Sequence, residues 1–151
     1  KTLQLNYSKA VNFDQTMTLM KRIISFSDKR LAAFIANSFR EIFSYLSIDT
    51  EILMSSDIPK DNSLRGKDKI LQICEILGAD TYYNAIGGQN LYDKKEFSEH
   101  GIVLNFVDTI PKVYSQLRTK EFVPYLSMID VLMNNTKDEV NDLLDSFCVR
   151  Y

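Results

Sequence analysis

The sequence contains few of the residues that build metal centres. It has one histidine and two cysteines among 151 residues, whereas a structural zinc site needs about four such ligands. We therefore predict no metal site. The single histidine, His100, stands before Gly101 at a predicted helix end, where its interaction with the helix dipole is favoured over a catalytic role.

The motifs of several common enzyme classes are absent as well. The chain has no Walker loop, no G-x-G-x-x-G fingerprint and no G-x-S-x-G elbow, so no P-loop, dinucleotide-binding or α/β-hydrolase site is predicted. We assign no catalytic residue from sequence. No internal repeat or low-complexity segment is visible.

Long apolar runs and an excess of charge are also missing. No stretch approaches the roughly 18 apolar residues that would predict a transmembrane helix, and no secretory signal is visible. The 18 basic and 20 acidic residues are interspersed and leave a net charge of −2, which argues against a nucleic-acid or anionic-membrane partner. Cys74 and Cys148 lie in apolar patterns typical of helices, so reduced core thiols are favoured over a disulfide. These features predict a cytoplasmic protein.

Hydrophobic periodicity predicts an α/β fold in a single domain, residues 1–151. Strands that alternate with helices indicate crossover connections and hence a parallel sheet. We expect a small three-layer domain with a short parallel sheet of about three strands, helices on its faces and extra helices at both ends. The predicted strands are 50–54, 81–86 and 102–107. The predicted helices include 13–24, 31–46, 70–77, 92–99 and 126–133, and Thr136 caps a last helix whose buried face runs from Val140 to Phe147.

Polar residues follow the predicted strands, where open α/β sheets bind their ligands. Backbone N–H groups at Gly87 and Gly88 could approach an anion, although a plain turn explains both glycines equally well. Lys67 and Lys69 could neutralise a phosphate, although a solvated basic face is the favoured interpretation. The candidate ligand-binding residues are Ser55, Ser56, Asp57, Lys67, Lys69, Asn84, Gly87 and Gly88.

A late block with the pattern F-x-P-x-L-S-x-x-D-x-L-x-N is intact. Its fixed positions are Phe122, Pro124, Leu126, Ser127, Asp130, Leu132 and Asn134. The runs Ile52–Gly88, Phe97–Ile102 and Pro111–Asn134, which includes this block, resemble the WbqC-like protein family. An early Y-x-K-A segment beginning at Tyr7 matches as well, so the resemblance covers nearly the whole chain. Two departures are Gly66, Lys67 and Lys69, where the family's helix tends to open with Lys-Thr and an arginine two residues later, and Asn84-Ala85, where the family has a Ser-Gly turn. The family's N-terminal segment is missing from this sequence, so we expect residues 1–151 to be the C-terminal portion of a WbqC-like protein.

The resemblance implies a role in bacterial surface polysaccharide biosynthesis (O-antigen, capsule or exopolysaccharide). It points to a transferase that adds an amino-acid or acyl group to a sugar or nucleotide sugar, with ATP, a nucleotide sugar or a CoA thioester as the activated compound. The alternative is a non-catalytic binding or scaffold module of the same pathway. An exposed sheet edge would also allow a homo-oligomer.

Ser127 and Asp130 lie three residues apart in a predicted helix, so they share one of its faces. A structural role, tying the last helix to the irregular connection 111–124, is favoured over catalysis. The family-motif residues that we single out are Phe122, Pro124, Ser127, Asp130 and Asn134.

Overall fold

The computed structural model describes residues 1–150, which form seven α-helices and one three-stranded sheet. The α/β fold class predicted from the sequence is confirmed. The helices are α1 (Thr2–Tyr7), α2 (Phe13–Ile24), α3 (Leu31–Leu46), α4 (Gly66–Ile76), α5 (Lys94–Glu99), α6 (Met128–Asn134) and α7 (Lys137–Leu144), and the strands are β1 (Thr81–Ala85), β2 (Val103–Thr109) and β3 (Phe147–Arg150).

The chain divides into two compact units. The first combines Lys1–Ile52 with Pro111–Ser146, and the second combines Leu53–Ile110 with the C-terminal strand β3. The single-domain assignment remains a prediction.

The first unit is helical and contains α1, α2, α3, α6 and α7. Leu19 and Ile23 recur at helical spacing on α2 and pack with Leu46, Leu132 and Val140, all of them buried. Burial of such side chains supplies most of the stability of short helices, because helices of this length are marginal alone.

The second unit packs helices α4 and α5 on one face of the sheet. Leu104 and Phe106 alternate along β2 and face Cys74 of α4 and Phe97 of α5, in one buried cluster. Gly78, which follows α4, has φ +63°, the left-handed conformation that glycine adopts without steric cost. The prediction of a glycine stop after this helix is therefore confirmed.

The sheet is mixed rather than parallel. Strand β2 pairs with β1 in parallel and with β3 in antiparallel register, with Asp108 opposite Cys148. The prediction that the last helix extends to Phe147 is wrong, because α7 ends at Leu144 and the aromatic and β-branched residues of Phe147–Arg150 pair with β2 instead. Cys148 is thus a strand residue; both it and the buried Cys74 are free thiols.

The prediction of a strand at 50–54 is also wrong. Met54 has extended dihedral angles, φ −88° and ψ 121°, but 50–54 pair with no other strand among residues 1–150. An apolar, extended segment without a hydrogen-bonded partner is not a strand. The following Ser55–Asp57 form one 3₁₀ turn, so they do not end a strand.

None of the helices in residues 1–150 is both long enough and apolar enough to cross a bilayer.

Candidate functional site

The family-motif block centres on Asp130, a carboxyl group that is only 6% exposed. Its Oδ1 accepts hydrogen bonds from the Tyr7 hydroxyl at 2.8 Å and from Asn134 Nδ2 at 3.1 Å. Its Oδ2 accepts from the Tyr114 hydroxyl at 2.8 Å and from Gln116 Nε2 at 3.3 Å. We call these five residues the Asp130 cluster. A buried carboxyl group needs such donors, since burying it without partners would be costly.

The pKa values of the two tyrosines in the cluster are shifted in the same direction. Burial, together with the hydrogen bond to Asp130, raises the pKa of Tyr7 to about 12. Burial also raises the pKa of Tyr114. Both phenols therefore stay protonated at neutral pH and act as donors to Asp130.

The cluster ties the connection 111–124 to α6, because Tyr114 and Gln116 of the connection donate to Asp130. Gln116 holds Val123 through both of its backbone groups: Oε1 accepts from Val123 N at 2.8 Å and Nε2 donates to Val123 O at 2.9 Å. The Tyr114 and Phe122 rings pack edge to face, 5.2 Å apart. Ser127 caps α6 by accepting a hydrogen bond from Ile129 N at 3.3 Å. A side chain that bonds both backbone groups of one residue fixes the path of the connection at that residue.

A polar pocket of about 230 Å³ adjoins the cluster, and Tyr114 and Asn134 belong to both. Asp130 therefore orients two residues of the pocket wall. The lining residues are Lys112, Val113, Tyr114, Ser115, Asn134, Asn135, Glu139, Asp142 and Leu143.

Three polar side chains of this pocket are available for a ligand. Within residues 1–150, no hydrogen bond or salt bridge engages the side chains of Lys112, Ser115 or Asp142. Glu139, in contrast, accepts from Thr136 N at 2.7 Å and caps α7. An ammonium, a hydroxyl and a carboxylate together offer donors and acceptors to a polyhydroxylated molecule. Sequence reasoning did not single out these three residues: Lys112 and Ser115 lie in the run that resembles the family but not at its fixed block positions, and Asp142 lies outside that run.

The ligand-binding residues predicted from the sequence lie in the second unit. Among the described residues, no hydrogen bond or salt bridge joins Ser55–Asp57 to the turn from Asn84 to Gly88. The Ser56 hydroxyl instead donates to Asp57 Oδ1 at 3.1 Å. The Ser55 carbonyl accepts from Lys60. The Ser56 hydroxyl, Asp57 Oδ1 and the Ser55 carbonyl are therefore engaged within this part of the chain.

Lys67 is engaged as well. It forms a salt bridge with Glu96 of α5, and this interaction raises the pKa of the Lys67 ammonium group. Lys69 has no hydrogen bond or salt bridge to any of residues 1–150. Hydrogen bonds from Ser63 and, to a smaller extent, the charge of Lys69 lower the pKa of the Asp61 carboxyl group, so Lys69 also lies near a carboxylate.

Asn84 fills the space beside Gly88. Its Oδ1 accepts from Ala85 N at 2.7 Å, and its Nδ2 donates to the Tyr82 hydroxyl at 3.2 Å. A Cβ atom on Gly88 would lie 3.0 Å from Asn84 Cγ, whereas one on Gly87 would meet nothing within 4 Å. Gly88 therefore makes room for Asn84.

Ala85 has ordinary extended backbone angles, φ −64° and ψ 151°. The alanine at this departure from the family pattern is therefore unstrained.

His100 ends α5, as its sequence context predicts, and its Nδ1 lies 2.6 Å from Glu75 Oε1. No group of three or more histidine, cysteine or acidic side chains in residues 1–150 is arranged to hold a metal ion.

The mixed α/β architecture and the Asp130 cluster define a small α/β protein whose late sequence block ties a long connection to a helix. The model of the WbqC-like protein family matches residues 1–142, and the chain belongs to this family. No curated protein and no solved structure matches it significantly.

Proposed function

We propose that this chain acts in the biosynthesis of a bacterial surface polysaccharide, in the cytoplasm, as a transferase that adds an amino-acid or acyl group to a sugar or nucleotide sugar. Membership of the WbqC-like family supports the pathway. The observation that carries the proposal is the polar pocket beside the Asp130 cluster, with its unengaged ammonium, hydroxyl and carboxylate. Sugar-binding sites use such groups, because each hydroxyl of a sugar both donates and accepts hydrogen bonds.

The pocket would hold the sugar and the Asp130 cluster would position its wall. Tyr114 and Asn134 are fixed by hydrogen bonds to Asp130 at 2.8 and 3.1 Å. Groups that are held before the ligand arrives lose less conformational entropy on binding. The activated donor would be ATP, a nucleotide sugar or a CoA thioester.

A test should separate sugar binding from transfer. We would screen the protein by thermal shift against nucleotide sugars, ATP and CoA thioesters, because a ligand that binds the native state raises its stability. Asp142→Asn and Ser115→Ala should reduce the shift caused by a sugar ligand. Asp138→Asn, also on α7 but outside the pocket lining, is the matched control. Equal shifts for all four proteins would contradict the assignment of the pocket.

The second candidate is a binding or scaffold module without chemistry of its own. It is favoured by the second unit, where Glu96 already pairs with Lys67 and Asn84 fills the space beside Gly88. Mass spectrometry of the sugar after incubation with each activated compound distinguishes the two functions. A sugar that binds but never gains mass supports the scaffold.

A further inference from the structure

One buried polar side chain among residues 1–150 has an atom without a hydrogen-bond partner. It belongs to Asn105 of β2, which is 4% exposed and whose Oδ1 atom accepts from no donor. Taking a polar atom out of water without a partner is costly, so an atom of this kind calls for an explanation beyond the fold. The other buried polar side chains all form hydrogen bonds; they are Asn12, Thr16, Asp130, Asn134 and Asn135.

Asn105 lines a pocket of about 370 Å³ formed by α5, the turn that follows it and the start of β2. The volume falls within the range of roughly 300–1,000 Å³ that is typical of small-molecule sites. Ile102, Val103 and Leu104 make much of the wall apolar, and Lys94, Ser98 and Asn105 are its polar members. An apolar wall with a few polar groups is the usual composition of a ligand site.

The turn between α5 and β2 gives this pocket a fixed frame. Gly101 N donates to Ser98 O and Ile102 N donates to Phe97 O, both at 3.0 Å. Lys94 and Ser98 are four residues apart on α5 and therefore share one of its faces. Groups that are held in place before a ligand arrives lose less conformational entropy on binding.

The polar groups of the pocket restrict the chemistry of its ligand. Asn105 Oδ1 can only accept a hydrogen bond. The Ser98 hydroxyl donates to Lys95 O at 2.8 Å, so only its acceptor capacity remains. The Lys94 side chain forms no hydrogen bond or salt bridge with any of residues 1–150, so its ammonium group can pair with an anion. No carboxylate lines the pocket, so a cationic donor would find no opposite charge there.

We propose that this pocket binds a small organic anion whose apolar body carries an uncharged O–H or N–H group. That group donates to Asn105 Oδ1, the apolar body lies against Val103, and the anionic group pairs with Lys94. The buried amide oxygen thereby gains the partner that the chain itself does not supply. The inference goes beyond the proposed function and does not depend on it, because this pocket shares no lining residue with the pocket beside the Asp130 cluster.

Two matched pairs of carboxylates test the hydrogen bond to Asn105. The compounds para-hydroxyphenylacetate and indoleacetate carry an uncharged donor, whereas phenylacetate and N-methylindoleacetate lack it. Tyramine keeps the phenol but replaces the carboxylate with an ammonium group. Saturation-transfer NMR with the full chain detects binding, and calorimetric titration at low salt gives the affinity.

Four variants test the protein side. Asn105→Leu and Asn105→Val remove the acceptor and leave an apolar side chain in its place. Lys94→Gln removes the charge, and Lys95→Gln, on the same helix but outside the pocket lining, is its matched control.

We expect each donor-bearing carboxylate to bind the wild type about tenfold more tightly than its matched compound, which corresponds to about 1.4 kcal/mol. Both Asn105 variants should lose this difference. Lys94→Gln should bind every carboxylate more weakly, Lys95→Gln should bind as the wild type does, and tyramine should not bind. Without a probe, at least one Asn105 variant should unfold at the temperature of the wild type or above it, because a buried acceptor without a partner does not stabilise the fold.

Four results would overturn the inference. If both compounds of each pair bind the wild type equally, no ligand donor reaches Asn105, and this comparison needs no variant. If both Asn105 variants unfold at a clearly lower temperature, the amide serves the fold. If Lys94→Gln and Lys95→Gln bind the carboxylates equally, Lys94 does not hold the anion. If no probe binds the wild type, the pocket is not a site for such anions, while sugar binding beside the Asp130 cluster is unaffected.

Discussion

The hydroxyl of Tyr7 donates a 2.8 Å hydrogen bond to Oδ1 of Asp130, a residue 123 positions later in the chain. This bond connects Tyr7, the last residue of α1, to the first turn of α6. We expect Tyr7→Phe to lower the free energy of unfolding by about 1 to 2 kcal/mol, the usual contribution of a hydrogen bond to a carboxyl group. Denaturant titration measures the change. Tyr125→Phe, which removes a hydroxyl that has no partner, is the matched control and should change stability little.

The same bond predicts a loss of stability in alkali. Burial and Asp130 raise the pKa of Tyr7 from 10.0 to about 12. The unfolded chain therefore releases this proton at lower pH than the folded chain. The stabilisation is complete below pH 10 and is lost as the pH rises towards 12. Melting temperatures across this range should fall less steeply for Tyr7→Phe. An identical slope would show that the phenol does not titrate as the structure requires.

Most of the elements that were predicted correctly from the sequence are specified by local patterns. The apolar spacing of α4 and the glycine after it specify a helix and its end within a few residues, so Gly78 was predicted in its left-handed role. The C-terminal strand was not predicted, because Val140, Leu143 and Phe147 also fit a helical period. Pairing of Phe147–Arg150 with β2 makes these residues a strand rather than a helix. Pairing between distant segments cannot be predicted from the spacing of apolar residues.

The site was predictable only in part. The spacing of Ser127 and Asp130 predicted that both belong to one helix, and Ser127 caps α6 while Asp130 lies in its first turn. Tyr7 as a partner of Asp130, and Glu96 as a partner of Lys67, bring together residues far apart in the chain. Whether the residues predicted near Gly88 bind a ligand stays a prediction.

The two adjacent glycines after β1 should respond differently to alanine. A methyl group on Gly88 would lie 3.0 Å from Asn84 Cγ, while one on Gly87 would meet nothing within 4 Å. We expect Gly88→Ala to lower the free energy of unfolding by about 1 to 3 kcal/mol, as overpacking does. Gly87→Ala should leave it unchanged or raise it by up to about 1 kcal/mol, because it restricts the unfolded chain.

A double variant identifies the cause of the Gly88 effect. Asn84→Ala removes the amide that a Gly88 side chain would meet, so adding Gly88→Ala in that background should cost much less than in the wild type. The difference between the two costs is the coupling energy of a double-mutant cycle. Equal costs in both backgrounds would mean that the glycine is needed for another reason.

The salt bridge between Lys67 and Glu96 offers a way to test the predicted phosphate site. Both side chains are near the surface, so the pair contributes little to stability. Glu96→Gln removes the competing carboxylate and releases Lys67 for an anion. We expect this variant to bind ATP or pyrophosphate more tightly than the wild type, and Lys69→Ala to bind either ligand more weakly, in calorimetric titrations at low salt. Glu99→Gln, at the end of the same helix, is the control for net charge. No change in either variant would remove Lys67 and Lys69 from the candidate site.

The start of α7 carries a reciprocal cap whose two halves can be separated. Thr136 Oγ1 accepts a hydrogen bond from Glu139 N, and Glu139 Oε2 accepts one from Thr136 N. We expect Thr136→Ala to lower the free energy of unfolding by about 1 kcal/mol and Thr136→Ser to preserve it. The hydrogen bonds from Thr136 lower the pKa of Glu139 from its ordinary value of 4.5. The carboxylate of Glu139 therefore stabilises the folded state above that pH, and this stabilisation is lost as the pH falls further. Melting curves between pH 7 and 3 should show this loss in the wild type and not in Glu139→Gln; parallel curves would place the acid sensitivity elsewhere.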